Sequence, residues 1–336
     1  MTYICNFYAH QKEAVSNQLE LLRSHVGGNL FAAGIFLNQQ HLSYEDICQK
    51  RIILPDQEFI RILPNFVKSL PRNESIHYFS EEPELDKLKI FNSVPNNLYI
   101  SMYRRPTKEY ASFLKKIKNL ARIYVELDSH KSILSEFGIR PDKIIVSHPP
   151  SIFERSFYAR KFTGKFLFAS WNGGDFNSLA KRGLIAILDF LELNTDIVCN
   201  ILLRDNEINL YEEMIQKRGL DGRITLSKVN SYADLRKAFM DTDVVLFLTQ
   251  IKLTKDVPNS IIDGFALGKP VVMTNVVDFA KIVTDYDMGW VINPGEVFDA
   301  RIIKATYKEK SQNAFKYSEK LTPFNYIKAI VSGYAK

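Results

Sequence analysis

Cysteine is scarce in this 336-residue chain, and no pattern puts it to work: Cys5, Cys48 and Cys199 are an odd, widely spaced set without a CxxC pair. That excludes a disulfide framework, offers no zinc-ligand spacing and points to a reducing compartment. No apolar run approaches the length that crosses a bilayer, and the opening MTYICNFYAH has neither the basic head nor the apolar core of a signal peptide. The expectation is a cytosolic protein. Two nucleotide signatures are missing as well. Neither GxGxxG nor GxxxxGK[ST] occurs, which counts against dinucleotide oxidoreductases and P-loop enzymes. The six histidines form no HExxH or HxH spacing, so no metal is expected, and no GxSxG elbow is there to start a serine hydrolase.

Charge of one sign is also not concentrated anywhere. The formal net charge of +6 is spread over both halves, which makes nucleic acid a poor partner. Two local patches, FLKKIKN (113–119) and RKFTGK (160–165), read first as solvated surface and second as peripheral contact with an anionic membrane. What the chain does have is ordinary globular material, 46% hydrophobic and 24% charged, which rules out disorder and fibres and suffices for a large core.

Short apolar runs alternate with helical periodicity from end to end. In the first half strands are expected at 3–8, 30–37, 76–79, 98–103, 122–127 and 143–148, with helices at 12–25, 57–70, 108–119 and 130–138. In the second half strands are expected near 165–171, 197–203, 223–229, 243–249, 270–274 and 289–293, with helices near 178–193, 207–218, 231–241, 258–268 and 276–284. This alternation implies an α/β protein with parallel sheets covered on both faces. Two such series predict two Rossmann-like, doubly wound domains facing a central cleft. They span 1–150 and 165–315, joined by a Pro- and Gly-containing linker at 151–164. A helical segment, 316–336, is expected to cross back to the first domain.

One stretch looks unlike generic packing: DVPNSIIDGFALGKPVV (256–272). Pro258 suits a first helical turn, and the amides of Asn259, Ser260 and Ile261 would then be unpaired donors for a phosphate or a sugar hydroxyl. Asp263, more than one turn further on, has a carboxylate able to accept from two ribose hydroxyls. A helix with an acid favoured by its dipole is an equally ready explanation of this stretch taken alone. Upstream, FLFASWNGGDFNSLAKRGLIAIL (166–188) runs from a strand through Gly173 and Gly174 to a helix with Lys181 and Arg182 near its start. Glycines let backbone approach an anion, and two cations could hold a diphosphate. DTD (241–243) and DYD (285–287) imitate a metal-binding triplet but sit where solvated loop acids are expected.

PNSIIDGFALGKPVV resembles the donor-site helix of family 4 of the retaining glycosyltransferases, which share the GT-B fold. Further segments arrive in that family's order: GIRPDKIIVSHPP (138–150), FNSLAKRG (176–183), VNSYADLRKAFMDTDVVLFLT (229–249) and DMGWVINPG (287–295). The resemblance is good over about 155–300 and is one of pattern only before that. It implies transfer of a sugar from a nucleotide-diphosphate donor, a UDP- or GDP-sugar, with retention and without a metal or tightly bound cofactor. The acceptor would be a glycan or lipid-linked glycan, in cell-surface polysaccharide or glycoconjugate assembly at the inner face of the membrane. By position, Asp263 matches the acid that binds ribose, Arg182 with Lys181 the pair that stabilises diphosphate, Gly173 and Gly174 the turn facing it, and Val229 the region beside the base. The chain departs from the family where its first acid should stand: Lys255 occupies that position and Asp256 follows it. In an active enzyme of this pattern either Asp256 substitutes for the missing acid or Lys255 faces a donor sugar that carries its own negative charge. Alternatively the donor site is degenerate and the protein a non-catalytic partner, or the fold serves a nucleotide-sugar epimerase. No histidine clearly matches the family's active-site His; His77, near a strand end, is the candidate.

Overall fold

The computed structural model describes residues 1–8, 14–34, 50–80, 85–157, 161–169, 180–203, 208–229, 231–252, 255–296 and 298–334. Two compact units emerge, one made of Met1–Pro150 with Pro323–Lys336 and one of Ser151–Thr322. The first begins β1 (Thr2–Tyr8), α1 (Ala14–Val26), β2 (Asn29–Gly34), β3 (Arg51–Leu54), α2 (Asp56–Ser69) and β4 (Ile76–Ser80). It continues with α3 (Leu85–Asn92), β5 (Leu98–Met102), α4 (Lys108–Leu114), β6 (Leu120–Val125), α5 (Asp128–Glu136) and β7 (Ile144–Val146). The second holds β8 (Lys165–Phe168), α6 (Leu184–Leu193), β9 (Val198–Leu203), α7 (Ile208–Lys217), β10 (Ile224–Lys228), α8 (Tyr232–Met240) and β11 (Val244–Phe247). After it come α9 (Asn259–Ala266), β12 (Val271–Thr274), α10 (Phe279–Asp285), β13 (Gly289–Ile292) and α11 (Ala300–Tyr317); α12 (Pro323–Tyr334) returns to the first unit.

Both sheets are parallel, ordered β3-β2-β1-β4-β5-β6-β7 and β10-β9-β8-β11-β12-β13. The expected architecture of two doubly wound α/β sheets is therefore the one observed. Strand alternation sorts the core of the first unit. Ile4, Tyr78, Ile100 and Ile123 share one cluster with α2–α5, through Phe59, Leu63, Phe91, Leu114 and Leu134. Tyr3, Cys5, Phe79, Tyr99 and Tyr124 face the other way, onto Val15, Leu19 and Leu22 of α1 and Tyr326 and Ile330 of α12. In the second unit Phe166, Phe168, Ile201, Val244 and Leu246 pack with Leu184, Ile187 and Leu188 of α6 and Ile303 of α11. Among the described residues no helix is long and apolar enough to cross a membrane.

The described residues of the segment expected to be the linker, 151–157 and 161–164, pack on the second unit. Asp243 Oδ2 accepts from the Thr163 amide and hydroxyl and from the Lys165 amide at 2.7, 2.9 and 3.1 Å. Phe153 lies edge-on to Phe239, and the Ser156 amide donates to the Ala266 carbonyl at 2.9 Å. Proline, glycine and polar residues signal irregular backbone, not absence of packing. Asp243 is accordingly a buried structural acid and not the solvated loop residue expected of DTD. Asp285 and Asp287 of DYD pair with Lys281 and Lys310. The helical tail divides later than 316: α11 stays with the second unit, and the crossing falls at Pro323, the first residue of α12.

His77 belongs to this framework. It lies on β4 opposite Tyr3, fully buried, with Nε2 2.8 Å from Ser101 Oγ and Nδ1 bonded to Tyr334 Oη of α12. Both ring nitrogens are occupied, so the expectation that His77 meets a substrate is corrected: it anchors the C-terminal helix. Burial holds the imidazole well below its usual pKa. The unfolded chain takes up a proton near pH 6.5 while the folded one does not, so this contribution to stability is complete above pH 6.5 and declines as pH falls through it. We expect urea-unfolding free energy to fall by up to about 1.4 kcal/mol per pH unit from this group below pH 6.5. His77→Phe should be less stable at pH 7.5 and should lack that slope. An unchanged slope would remove His77 as its source.

Candidate functional site

The strand order of the second unit sets where a ligand can enter. Connections from β8 lead outward through β9 to β10, whereas those from β11 lead through β12 to β13. Adjacent β8 and β11 therefore send their following loops to opposite faces, and a crevice opens beyond their carboxyl ends. The basic turn follows β8 and the α9 segment follows β11, so the two stretches singled out in the sequence meet at this switch point.

Lys181 and Arg182 are held in place by backbone. The Lys181 carbonyl accepts from the Gln250 amide at 2.8 Å and from Thr249 Oγ1 at 3.4 Å. Gly183 follows with φ +103° at the start of α6, and any Cβ there would run into the Leu248 carbonyl oxygen. Only glycine permits this approach and this backbone region. The segment after β11 is braced on its other side too, since Thr274 Oγ1 donates to the Thr249 carbonyl at 2.6 Å. Lys181 is exposed and Arg182 half-buried. Gly173 and Gly174 lie outside the described residues.

Helix α9 starts after Pro258, which gives no side-chain cap. The Ile261 amide donates to the Pro258 carbonyl at 3.1 Å, and the Ile261 side chain is fully buried. The expectation that the Ile261 amide is open to a ligand is thus corrected, because the first turn tightens onto its own cap. Asn259 and Ser260 remain at the helix start, both half-buried. Asn259 Oδ1 is buried without a hydrogen-bond partner, an orphaned acceptor of the kind a ligand hydroxyl would satisfy. The other end of α9 closes in a Schellman arrangement: Lys269 N reaches Gly264 O at 2.8 Å and Gly268 N reaches Phe265 O at 3.0 Å, with Gly268 at φ +69°.

Asp263 is 5% exposed. Its Oδ1 accepts from Ser151 Oγ at 2.9 Å and from the Ile152 amide at 3.0 Å. Oδ2 accepts no hydrogen bond from the described residues and is not among the fully buried unpaired atoms, so it is the oxygen left for a ligand. Burial pushes the Asp263 carboxyl up to about 7, against the opposing pull of those two bonds and the positive charge of Lys255. Lys255, 6% exposed, thus acts on the acid expected at the ribose. Asp256 has no exposed surface, and Lys252 Nζ stands 2.8 Å from its carboxylate. Val229 is half-buried just past β10, at the edge of the sheet. His77, in the first unit, is no part of this crevice. Within either unit alone, the described residues bring no three His, Cys or acidic side chains within reach of one cation.

Ser151 and Ile152 were missed in the sequence. They sit more than a hundred residues from Asp263, in a stretch whose composition signals only a linker, so no local pattern announces them.

Residues 184–322 match the family described as glycosyl transferases group 1. No curated protein matches the sequence. Along the whole chain the fold is similar to that of Anabaena HepE, solved in complex with UDP, with TM-score 0.72, 11% identity and 100% of each chain covered. It is similar also to a glycosyltransferase from Rickettsia africae, with TM-score 0.68, 13% identity and 99% and 97% coverage. A third similar structure is WaaG, a glycosyltransferase involved in lipopolysaccharide biosynthesis, with TM-score 0.65, 14% identity and 97% and 98% coverage. The chain has the GT-B fold.

The clamp on the basic turn is testable without a substrate. Gly183→Ala should destabilise the second unit by about 2–4 kcal/mol, through the left-handed backbone and the clash with Leu248. The check is the urea midpoint; a loss below about 0.5 kcal/mol would mean that the turn relaxes freely.

Proposed function

We propose that this protein is a retaining glycosyltransferase whose second unit holds a UDP-sugar and whose first unit holds a glycan or lipid-linked acceptor. The observation that carries the reading is the switch point, where a cationic turn and a half-buried helix start converge with a buried acid one turn behind. In this reading Lys181 and Arg182 face the diphosphate and stabilise the negative charge that grows on it as the bond to the sugar breaks. The amides of Asn259 and Ser260 at the start of α9 add their partial positive charge. Asp263 Oδ2 accepts from the ribose hydroxyls, Asn259 from a hydroxyl of the donor, and the backbone near Val229 borders the base. Preference for uridine over guanosine leans on HepE, which was solved with UDP. Synthesis of a cell-surface glycan, at the cytosolic face of a membrane, is the setting we infer from the family resemblance. The basic residues of 113–119, with Lys161 and Lys165, stand at the amino ends of β6 and β8, away from the carboxyl ends.

Lys255, in place of an acid, is the observation that favours a second reading, a partner protein that binds nucleotide without transferring sugar. Binding of UDP with no turnover of any UDP-sugar would select it.

UDP at a hundredfold excess over its Kd should stabilise the protein by about 2.7 kcal/mol, a thermal shift of several degrees. Arg182→Ala should weaken UDP by about ten- to a hundredfold, the range for a charged hydrogen bond. No shift with any nucleoside diphosphate would sink the proposal.

The acid makes a separate prediction. Its folded pKa of about 7 lies above the ordinary 3.8, so the stabilisation it contributes is complete below pH 3.8 and lost as pH rises towards 7. Asp263→Asn should therefore raise the melting temperature at pH 8 while weakening UDP. Parent affinity for UDP should improve between pH 6 and 8 relative to the asparagine variant, because ribose hydroxyls donate to the ionised form. A variant both less stable at pH 8 and unchanged in UDP affinity would contradict both statements.

A further inference from the structure

The two places where the chain passes between units lie beside the acid. Ser151, the first residue of the second unit, donates its backbone N–H to the carbonyl of Leu321, one residue before that unit ends, at 2.9 Å. Its side chain is oriented by a second contact, since the Phe153 amide donates to Ser151 Oγ at 3.0 Å. With an acceptor lone pair engaged in that way, the hydroxyl hydrogen is left to point at Asp263 Oδ1, 2.9 Å away. The Ile152 amide joins it on the same oxygen at 3.0 Å. Ser151 is 4% exposed and Leu321 1%, so water does not compete with these bonds.

We propose that Ser151 is a positioning residue for the nucleotide site: with the Ile152 amide it occupies Asp263 Oδ1, fixes the plane of the carboxylate and directs Oδ2 to the ligand. The inference rests on the reading that Asp263 binds the ribose, and goes beyond it by assigning the orientation of that acid to the crossing segment. Two fixed donors on one oxygen leave the carboxylate a single open acceptor edge, which suits a pair of adjacent hydroxyls approaching from one side. The same two bonds favour the ionised form against the desolvation that opposes it. Lys255, in the segment ahead of α9, is the charged group that acts on Asp263 in the same sense, and Ser151 and Ile152 bond it from the crossing segment.

The test follows the Asp263 carboxyl directly, by carbon-detected NMR titration of the full chain without ligand, and UDP affinity across pH by calorimetry. Ser151→Ala should move the carboxyl midpoint upward by about half a unit to one unit, the worth of one hydrogen bond to a charged group. The midpoint of UDP binding should move with it, so the affinity loss is largest near neutral pH and shrinks above pH 8. Ser151→Thr, which keeps the hydroxyl, should restore both midpoints. Ser151→Cys, with a weak donor of similar volume, should behave as alanine does and serves if the alanine variant folds poorly. A carboxyl midpoint unmoved in the alanine and cysteine variants overturns the proposal. A midpoint that moves without any change in UDP binding, together with Asp263→Asn binding UDP as the parent does, overturns the ribose reading instead and leaves Ser151 as a structural partner of the acid.

Discussion

A carboxylate with only one oxygen left open is the constraint on which the second unit is organised. Removing Asp263 from water disfavours its charge by several kcal/mol unless other groups compensate. Ser151, Ile152 and Lys255 compensate in part, and the remainder appears as a carboxyl whose titration reaches neutral pH. An acid in that condition is costly to the apo fold. It is useful where a ligand supplies the missing donors, and this is the usual signature of a binding site placed under strain by its own burial.

Everything around that acid is arranged by backbone more than by side chains. The basic turn is set by the Lys181 carbonyl and by the absence of a Cβ at Gly183, both pressed on residues 248–250. Helix α9 is set by Pro258 at one end and a left-handed glycine at the other. Backbone contacts of this kind do not engage the side chains of Lys181 and Asn259. They also place charge with little freedom to reorganise, which is what stabilising a leaving diphosphate demands.

The first unit follows a different economy. Its aromatic face, with Tyr3, Phe79, Tyr99 and Tyr124 around His77, receives the C-terminal helix through Tyr326, Ile330 and Tyr334. Burying Ile330 alone stabilises that docking by about 1.5–3 kcal/mol. A histidine at the centre of such a cluster is a hydrogen-bonding core residue, because both its nitrogens find hydroxyl partners in an otherwise apolar layer.

The periodicity of apolar residues was enough to assign the second sheet and six of the seven strands of the first, since a strand buried on two faces and an amphipathic helix leave distinct spacing over a few residues; the short edge strand β3 (Arg51–Leu54) and helix α3 (Leu85–Asn92) were missed. Lys181, Arg182 and the Pro258–Asp263 stretch were legible for the same reason, because a helix start is local in sequence, whereas the need for glycine at 183 came from its packing on Leu248. What the sequence by itself determined was therefore the α/β class, most of the element order and the two segments that meet beyond β8 and β11. Only the tertiary structure decided that 151–157 and 161–164 pack on the second unit, that Asp243 ties down Thr163, that His77 is core, that the Ile261 amide is spent on Pro258, and that Ser151 and Ile152 share one oxygen of Asp263. All but the Ile261 bond depend on which distant residue supplies the partner for a buried polar group, and a pairing across 78 or more residues leaves no spacing to read.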